Sequence, residues 1–291
     1  MLPVAAPHIE LSAMSVQTLP LDRLCIHQVT LMQCDFRTSM ETLARHGVTK
    51  TAVWRDKLDE IGTEEGARIL QDLGIEVVSL CAGGLLSMLD PTAHQRALDD
   101  NRRWIDQAAA IQAGSIVTIT GGLEDGATDL RAARDQACRG IAELIPDARG
   151  AGVQLALEPL HPMVCGFRSV ISTTRAAQEM LHELDAPDVM GLAIDSYALW
   201  WDHQLRADLA DAAAHILNFH VSDWLRETRD VRLDRGMPGD GHIDNRAIRG
   251  WLEEGGFDGP VEVEIFSEQD WWKRDPDDVV RTVIERAETY L

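Results

Sequence analysis

Eight short apolar runs recur along this chain, with helical patterns between them. The runs are CIHQVTL (25–31), TAVWR (51–55), IEVVSL (75–80), SIVTIT (115–120), VQLALE (153–158), GLAID (191–195), ILNFHVSD (216–223) and VEVEIF (261–266). Helical periodicity falls near 39–46, 63–73, 93–113, 128–149, 170–184, 205–213 and 244–255, and a last helix near 276–290 follows the eighth run. Several helical stretches reach a glycine just before the next strand: Gly47, Gly74, Gly114, Gly152 and Gly256. A glycine there supplies the left-handed residue that ends a helix. Eight strand–helix units without a low-complexity linker predict an α/β chain folded as a single (β/α)8 TIM barrel. The competing arrangement, an open doubly wound sheet, usually carries G-x-G-x-x-G after its first strand, and no such turn occurs here. Residues 1–21 read as an N-terminal arm and 22–291 as the catalytic barrel domain.

The 291 residues suffice for one large barrel. A net charge of −21 repels nucleic acid and anionic membrane, so neither is an expected partner. No apolar run approaches the length of a membrane span. The first residues lack the basic segment and apolar core of a signal peptide, and a cytoplasmic location is expected. Five scattered cysteines, odd in number and with no C-x-x-C, read as reduced thiols.

Four runs in the second half end in residues of metal-ligand type: Glu158, Asp195, His220 and Glu264. Strand alternation puts Gln154, Ala156 and Glu158 on one face and Leu155 and Leu157 on the other. Likewise Gly191, Ala193 and Asp195 oppose Leu192 and Ile194. Each ligand candidate thus shares a face with small or polar residues, the pattern of a tight barrel interior. Catalytic groups in such barrels sit at the C-terminal strand ends. Three carboxylates and one imidazole make a hard, oxygen-rich set that suits one divalent ion. Mn²⁺ comes first, then Mg²⁺ or Co²⁺, ahead of a structural zinc site. Glu262 shares the inward phase but lies deeper. A pairing with Arg55 or His27, or a local twist outward, would each accommodate it.

Other candidates surround this set. Arg235 lies in DRGMPGDGHID, a polar Gly/Pro loop placed to close over a ligand and aim a guanidinium at its oxygens. His242 in the same loop is either a second contact or a loop cap. His161, three residues after Glu158, is either a proton donor near neutral pH or a hydrogen-bonding residue that fixes its loop. His27 and Trp54 belong to the pocket floor and wall, and Asp223 stands with the substrate-binding candidates. Six of eight tryptophans (Trp54, Trp200, Trp201, Trp224, Trp271 and Trp272) fall at or just past strand ends, and one or two of them are expected against a sugar face.

The motifs LALEPLHP, GLAIDSYALWW, NFHVSDW, RGMPGDGHID and VEVEIF resemble the xylose isomerase-like barrel superfamily over roughly residues 22–290. That group holds ketose 3-epimerases, inosose isomerases and dehydratases, C-glycoside deglycosidases and endonuclease IV. The resemblance implies that Glu158, Asp195, His220 and Glu264 bind one divalent metal, that both glutamates act as acid/base catalysts, and that Arg235 binds substrate. EPLH departs from the ketose 3-epimerase pattern by offering His161.

The expected activity is a metal-dependent sugar isomerase or epimerase that abstracts a proton beside a carbonyl through an enediolate. A lyase with His161 as leaving-group acid is the alternative, of the inosose dehydratase or 3-oxo-glycoside type. A non-catalytic sugar-binding barrel ranks below both. The expected partner is a small carbohydrate, and a homo-oligomer stays open. DNA repair would need a richer His/Asp cluster for several zincs and a basic groove, and the charge of −21 speaks against it.

Overall fold

The computed structural model describes residues 16–291. The N-terminal arm read from residues 1–21 therefore lies mostly outside the described residues. Eight parallel strands follow in chain order: β1 (Leu24–Ile26), β2 (Lys50–Trp54), β3 (Glu76–Gly84), β4 (Ser115–Ile119), β5 (Gln154–Leu157), β6 (Met190–Asp195), β7 (Ile216–Val221) and β8 (Val261–Val263). Hydrogen-bonded neighbours run β1-β8-β7-β6-β5-β4-β3-β2. Side chains span the remaining seam. Thr51 Oγ1 donates to the Ile26 carbonyl at 2.8 Å, and the Trp54 amide donates to Gln28 Oε1 at 3.0 Å. The helices are α1 (Phe36–Arg45), α2 (Arg55–Ile61), α3 (Thr63–Leu73), α4 (Pro91–Ala110), α5 (Leu130–Ala151), α6 (Thr174–Leu184), α7 (Ser196–Leu199), α8 (Leu205–Ala212), α9 (Asn245–Glu254) and α10 (Pro276–Tyr290). This is the TIM barrel expected from the alternating runs.

The inward and outward faces of the strands stay distinct through the core. Cys25, Ala52, Val78, Cys81, Val117, Ala156 and Ala193 cluster as one set of small apolar side chains within the barrel. Leu155, Leu157, Leu192 and Ile194 belong to the larger cluster shared with the helices. Small residues inside leave room for polar groups, and branched aliphatics outside bury the helix faces.

Three local readings change. The run 25–31 is not one strand: β1 stops at Ile26, and Gln28–Leu31 form a 3₁₀ turn. His27 causes the break, because its Nδ1 accepts from the Val29 amide at 3.0 Å. Helix α2 follows β2 directly and was not read from the sequence, since seven mostly polar residues carry little periodicity. Gly47, Gly74, Gly152 and Gly256 do have positive φ, but near Gly114 the left-handed residue is Gln112, with φ 55°. Gly114 instead lies against β3, where an added Cβ would stand 3.0 Å from the Val78 carbonyl.

Candidate active site

Glu158 and Glu264 each stand one residue past a strand end. Their amides continue the ladder, to the Thr118 and Val221 carbonyls at 2.9 and 3.0 Å. Asp195 ends β6, and His220 is the penultimate residue of β7. The neighbouring strands deliver all four to the C-terminal mouth, where all are buried. The imidazole Nδ1 of His220 lies 3.1 Å from Glu158 Oε1 and 4.0 Å from Glu264 Oε2. Arg235 Nη1 donates to Asp195 Oδ2 at 3.0 Å and to Glu264 Oε2 at 2.8 Å.

Burial raises the Glu158 carboxyl above its ordinary range, against the opposing pull of His220. Burial also raises Asp195, with Arg235 opposing. Burial alone would lower His220, but the Glu262 and Glu264 carboxylates push it well above its usual value. Four carboxyl groups, Glu262 included, thus share the site with the Arg235 guanidinium and the His220 imidazole.

The donor set fits a divalent ion by chemistry: three carboxylates, with one imidazole nitrogen facing two of them. Among the described residues, no group of three His, Cys, Asp or Glu side chains is drawn together tightly enough to hold an ion as it stands. The Arg235 guanidinium bridges Asp195 and Glu264 and supplies their positive charge.

Glu262 is inward-facing and fully buried. Neither Arg55 nor an outward twist accommodates it. Ser79 Oγ and Asn218 Nδ2 donate to it at 2.9 and 2.8 Å, and Ser115 Oγ donates on to Asn218 at 2.7 Å. Arg55 opens α2 at the rim, a layer above, and donates to the Ala82 carbonyl at 2.7 Å. The Glu262 carboxylate lies below the His220 ring, 3.5 Å from its Nε2.

A pocket of about 630 Å³, open to solvent, lies against Glu158, Asp195 and Glu264. Its walls include Trp54, His161, Tyr197, Arg235 and Phe266. His161 Nδ1 accepts from the Met163 amide at 3.2 Å, which leaves the proton of the neutral ring on Nε2. Its ring packs on Trp224 at 4.7 Å, and burial lowers its pKa. Arg235 lies over the Tyr197 and Phe266 rings at 4.4 and 4.9 Å. A two-residue antiparallel ribbon, Asp223–Trp224 with Arg235–Gly236, fixes its backbone.

Four candidates fall outside the pocket lining: His220, which reaches the site beneath it at 3.1 Å from Glu158, and Asp223, His242 and His27. Asp223 is buried and accepts from the Gly239 and Ile243 amides, both at 2.9 Å, so it shapes the loop and does not line the pocket. His242 is exposed, and its amide donates to the Trp224 carbonyl at 3.1 Å. His27 sits behind Glu264, with Nε2 3.5 Å from Oε1. Of the other tryptophans, Trp272 donates to the Val29 and Ile265 carbonyls and packs structurally. Sequence reasoning missed Arg168 and Arg232, which line the pocket from loops whose course no periodicity reveals.

Residues 40–289 match the family described as xylose isomerase-like TIM barrel. The chain belongs to this family. A solved structure of a protein from Sinorhizobium meliloti 1021 shares 40% identity and TM-score 0.90, over 93% of this chain and 99% of that one. The zinc-bound IolI protein shares 20% identity and TM-score 0.79, over 92% and 99%. An L-ribulose 3-epimerase shares 18% identity and TM-score 0.75, over 90% and 92%. The last two show likeness of fold. No curated protein matches the chain. No described helix is long and apolar enough to cross a membrane.

Proposed function

We propose that this xylose isomerase-like barrel is a divalent-metal-dependent sugar isomerase or epimerase. The observation that carries the reading is that Glu158 and Glu264, just past the ends of β5 and β8 with two strands between them, border one pocket. A hydroxyketone lying between them meets a carboxylate on each face. Glu158, Asp195, His220 and Glu264 would hold the ion, with Mn²⁺ the first choice. When bound, such an ion polarises the carbonyl and lowers the pKa of the adjacent C–H. Glu158, which burial makes more basic, removes that proton, and Glu264 returns one on the other face. Trp54 and Phe266 offer apolar faces to the sugar ring and exclude water from the enediolate.

His161 supports a second outcome of the same chemistry. Its Nε2–H belongs to a half-buried ring on the pocket wall and could protonate a leaving group β to the carbanion. Elimination then replaces epimerisation.

The test is a panel of free ketoses, inososes and 3-oxo-glycosides with Mn²⁺ in D₂O, read by product NMR. An epimer or isomer, with or without solvent deuterium, supports the first outcome, and an alkene or its ketone tautomer supports the second. No turnover and no exchange across the panel would count against proton abstraction.

A further inference from the structure

Arg168 and Arg232 reach the pocket from two different loops. Arg168 follows the 3₁₀ turn Pro162–Val164 beyond β5, and Arg232 precedes the ribbon that carries Arg235. Both are half-buried. Among the described residues, neither side chain forms an ion pair or donates a hydrogen bond, although the chain has 48 acidic residues against 27 Lys and Arg. Most arginines here do otherwise: Arg37, Arg45, Arg68, Arg149 and Arg281 all hold carboxylates at the surface.

The pocket carboxylates do not supply the missing partner. Asp195 and Glu264 are held by Arg235, and Glu158 by His220. Burial lowers the Arg168 pKa and the charge of Arg232 lowers it further, while Glu158 and Glu264 across the pocket pull the other way without pairing with it. Partly dehydrated like charges at a pocket wall cost free energy, and an anion between them offsets that cost. Guanidinium forks match the paired oxygens of carboxylate and phosphate.

We propose that the substrate carries an oxyanion, a carboxylate or a phosphate, bound by Arg168 and Arg232 at the outer part of the pocket. This deepens the proton-transfer reading by naming the substrate class, and it rests on that reading only for what happens after binding. The acidic surface then leaves this pair as a local cationic target on a chain that otherwise repels anions.

Binding and turnover are measured separately on the full chain loaded with Mn²⁺. Calorimetry compares a neutral ketohexose, the matching ketohexuronate, the matching 6-phosphate and inorganic phosphate. The parent and the Arg168→Gln/Arg232→Gln double variant are both titrated. The expected result is at least tenfold tighter binding of one anionic sugar than of the neutral one, with that ratio falling towards one in the double variant. Preference for the uronate identifies a sugar acid, and preference for the phosphate ester or inorganic phosphate identifies a sugar phosphate. Equal binding of neutral and anionic sugars by the parent overturns the proposal, as does an anion preference that the double variant retains. Should the double variant fail to fold, Arg168→Lys and Arg232→Lys take its place. Retained charge without the fork is expected to weaken the anion preference, and an unchanged preference in both overturns the proposal. Solvent deuterium in the bound sugar reports on the proton-transfer reading alone, so tight anion binding without exchange or turnover would sink that reading and leave the anion site standing.

Discussion

The carboxylate of Glu262 lies 3.5 Å from Nε2 of His220. It faces the ring edge opposite the one that looks toward Glu158. A ligating imidazole is commonly held by a carboxylate on its second nitrogen, which fixes the tautomer and ring orientation. Glu262→Gln keeps the shape and removes the charge. Mn²⁺ affinity is expected to fall about 10–100-fold. Competition with a fluorescent chelator would show it, and unchanged affinity would detach Glu262 from the metal site.

Asp195→Asn and His220→Ala each remove a proposed ligand from the mouth of the barrel. Metal content after dialysis is expected to drop below one ion per chain in both. Parent-like content in both variants would sink the four-residue assignment.

Replacing Glu158 or Glu264 with Gln keeps the size and removes the base. A loss of roughly 10²-fold or more in kcat is expected at saturating Mn²⁺. The double variant, assayed with full metal occupancy confirmed, separates a catalytic role from a ligating one. Near-normal turnover there rejects the acid/base pair.

Arg235 is buried and shared between Asp195 and Glu264. Arg235→Ala leaves two buried carboxylates without their cation, which costs on the order of 3–5 kcal/mol. Urea unfolding in chelator measures the loss. Added Mn²⁺ is expected to restore more stability to the variant than it adds to the parent, and equal gains would argue against a common place for the two cations.

Burial pushes Cys34 and Cys138 up to about 11 from an ordinary 9. Between those values the unfolded thiols lose protons and the folded ones keep them, so stability falls as pH rises from 9 towards 11. The effect is up to about 1–2 kcal/mol per thiol. Urea midpoints at pH 8 and pH 10.5 check it, since Cys34→Ser/Cys138→Ser should flatten the decline.

The fold was legible because its signal is periodic. Alternation in QLALE and GLAID showed which side faced inward, and the order of the runs showed the strand ends. That placed Glu158, Asp195, His220 and Glu264 together. Contacts made across loops were not legible. Asp223 stood with the substrate-binding candidates, and only the fold shows that its oxygens accept from the Gly239 and Ile243 amides. Glu262 read as either paired with Arg55 or His27 or twisted outward, yet it points inward to Ser79 and Asn218, with His220 beside it. Arg168 has no periodic neighbours, and only the folded loop shows that it reaches the same pocket as Arg232.

The seam between β1 and β2 has a mechanical consequence. Elsewhere the cylinder wall is a run of shared backbone bonds, while here two side-chain clasps, Thr51 to Ile26 and Gln28 to Trp54, hold the edges. Slow breathing of the cylinder will concentrate at that slit, where a clasp can let go without unzipping a ladder. Strands β5 to β8 lie on the continuous part of the wall. The spacing of the two glutamates is thereby insulated from the looseness of the joint.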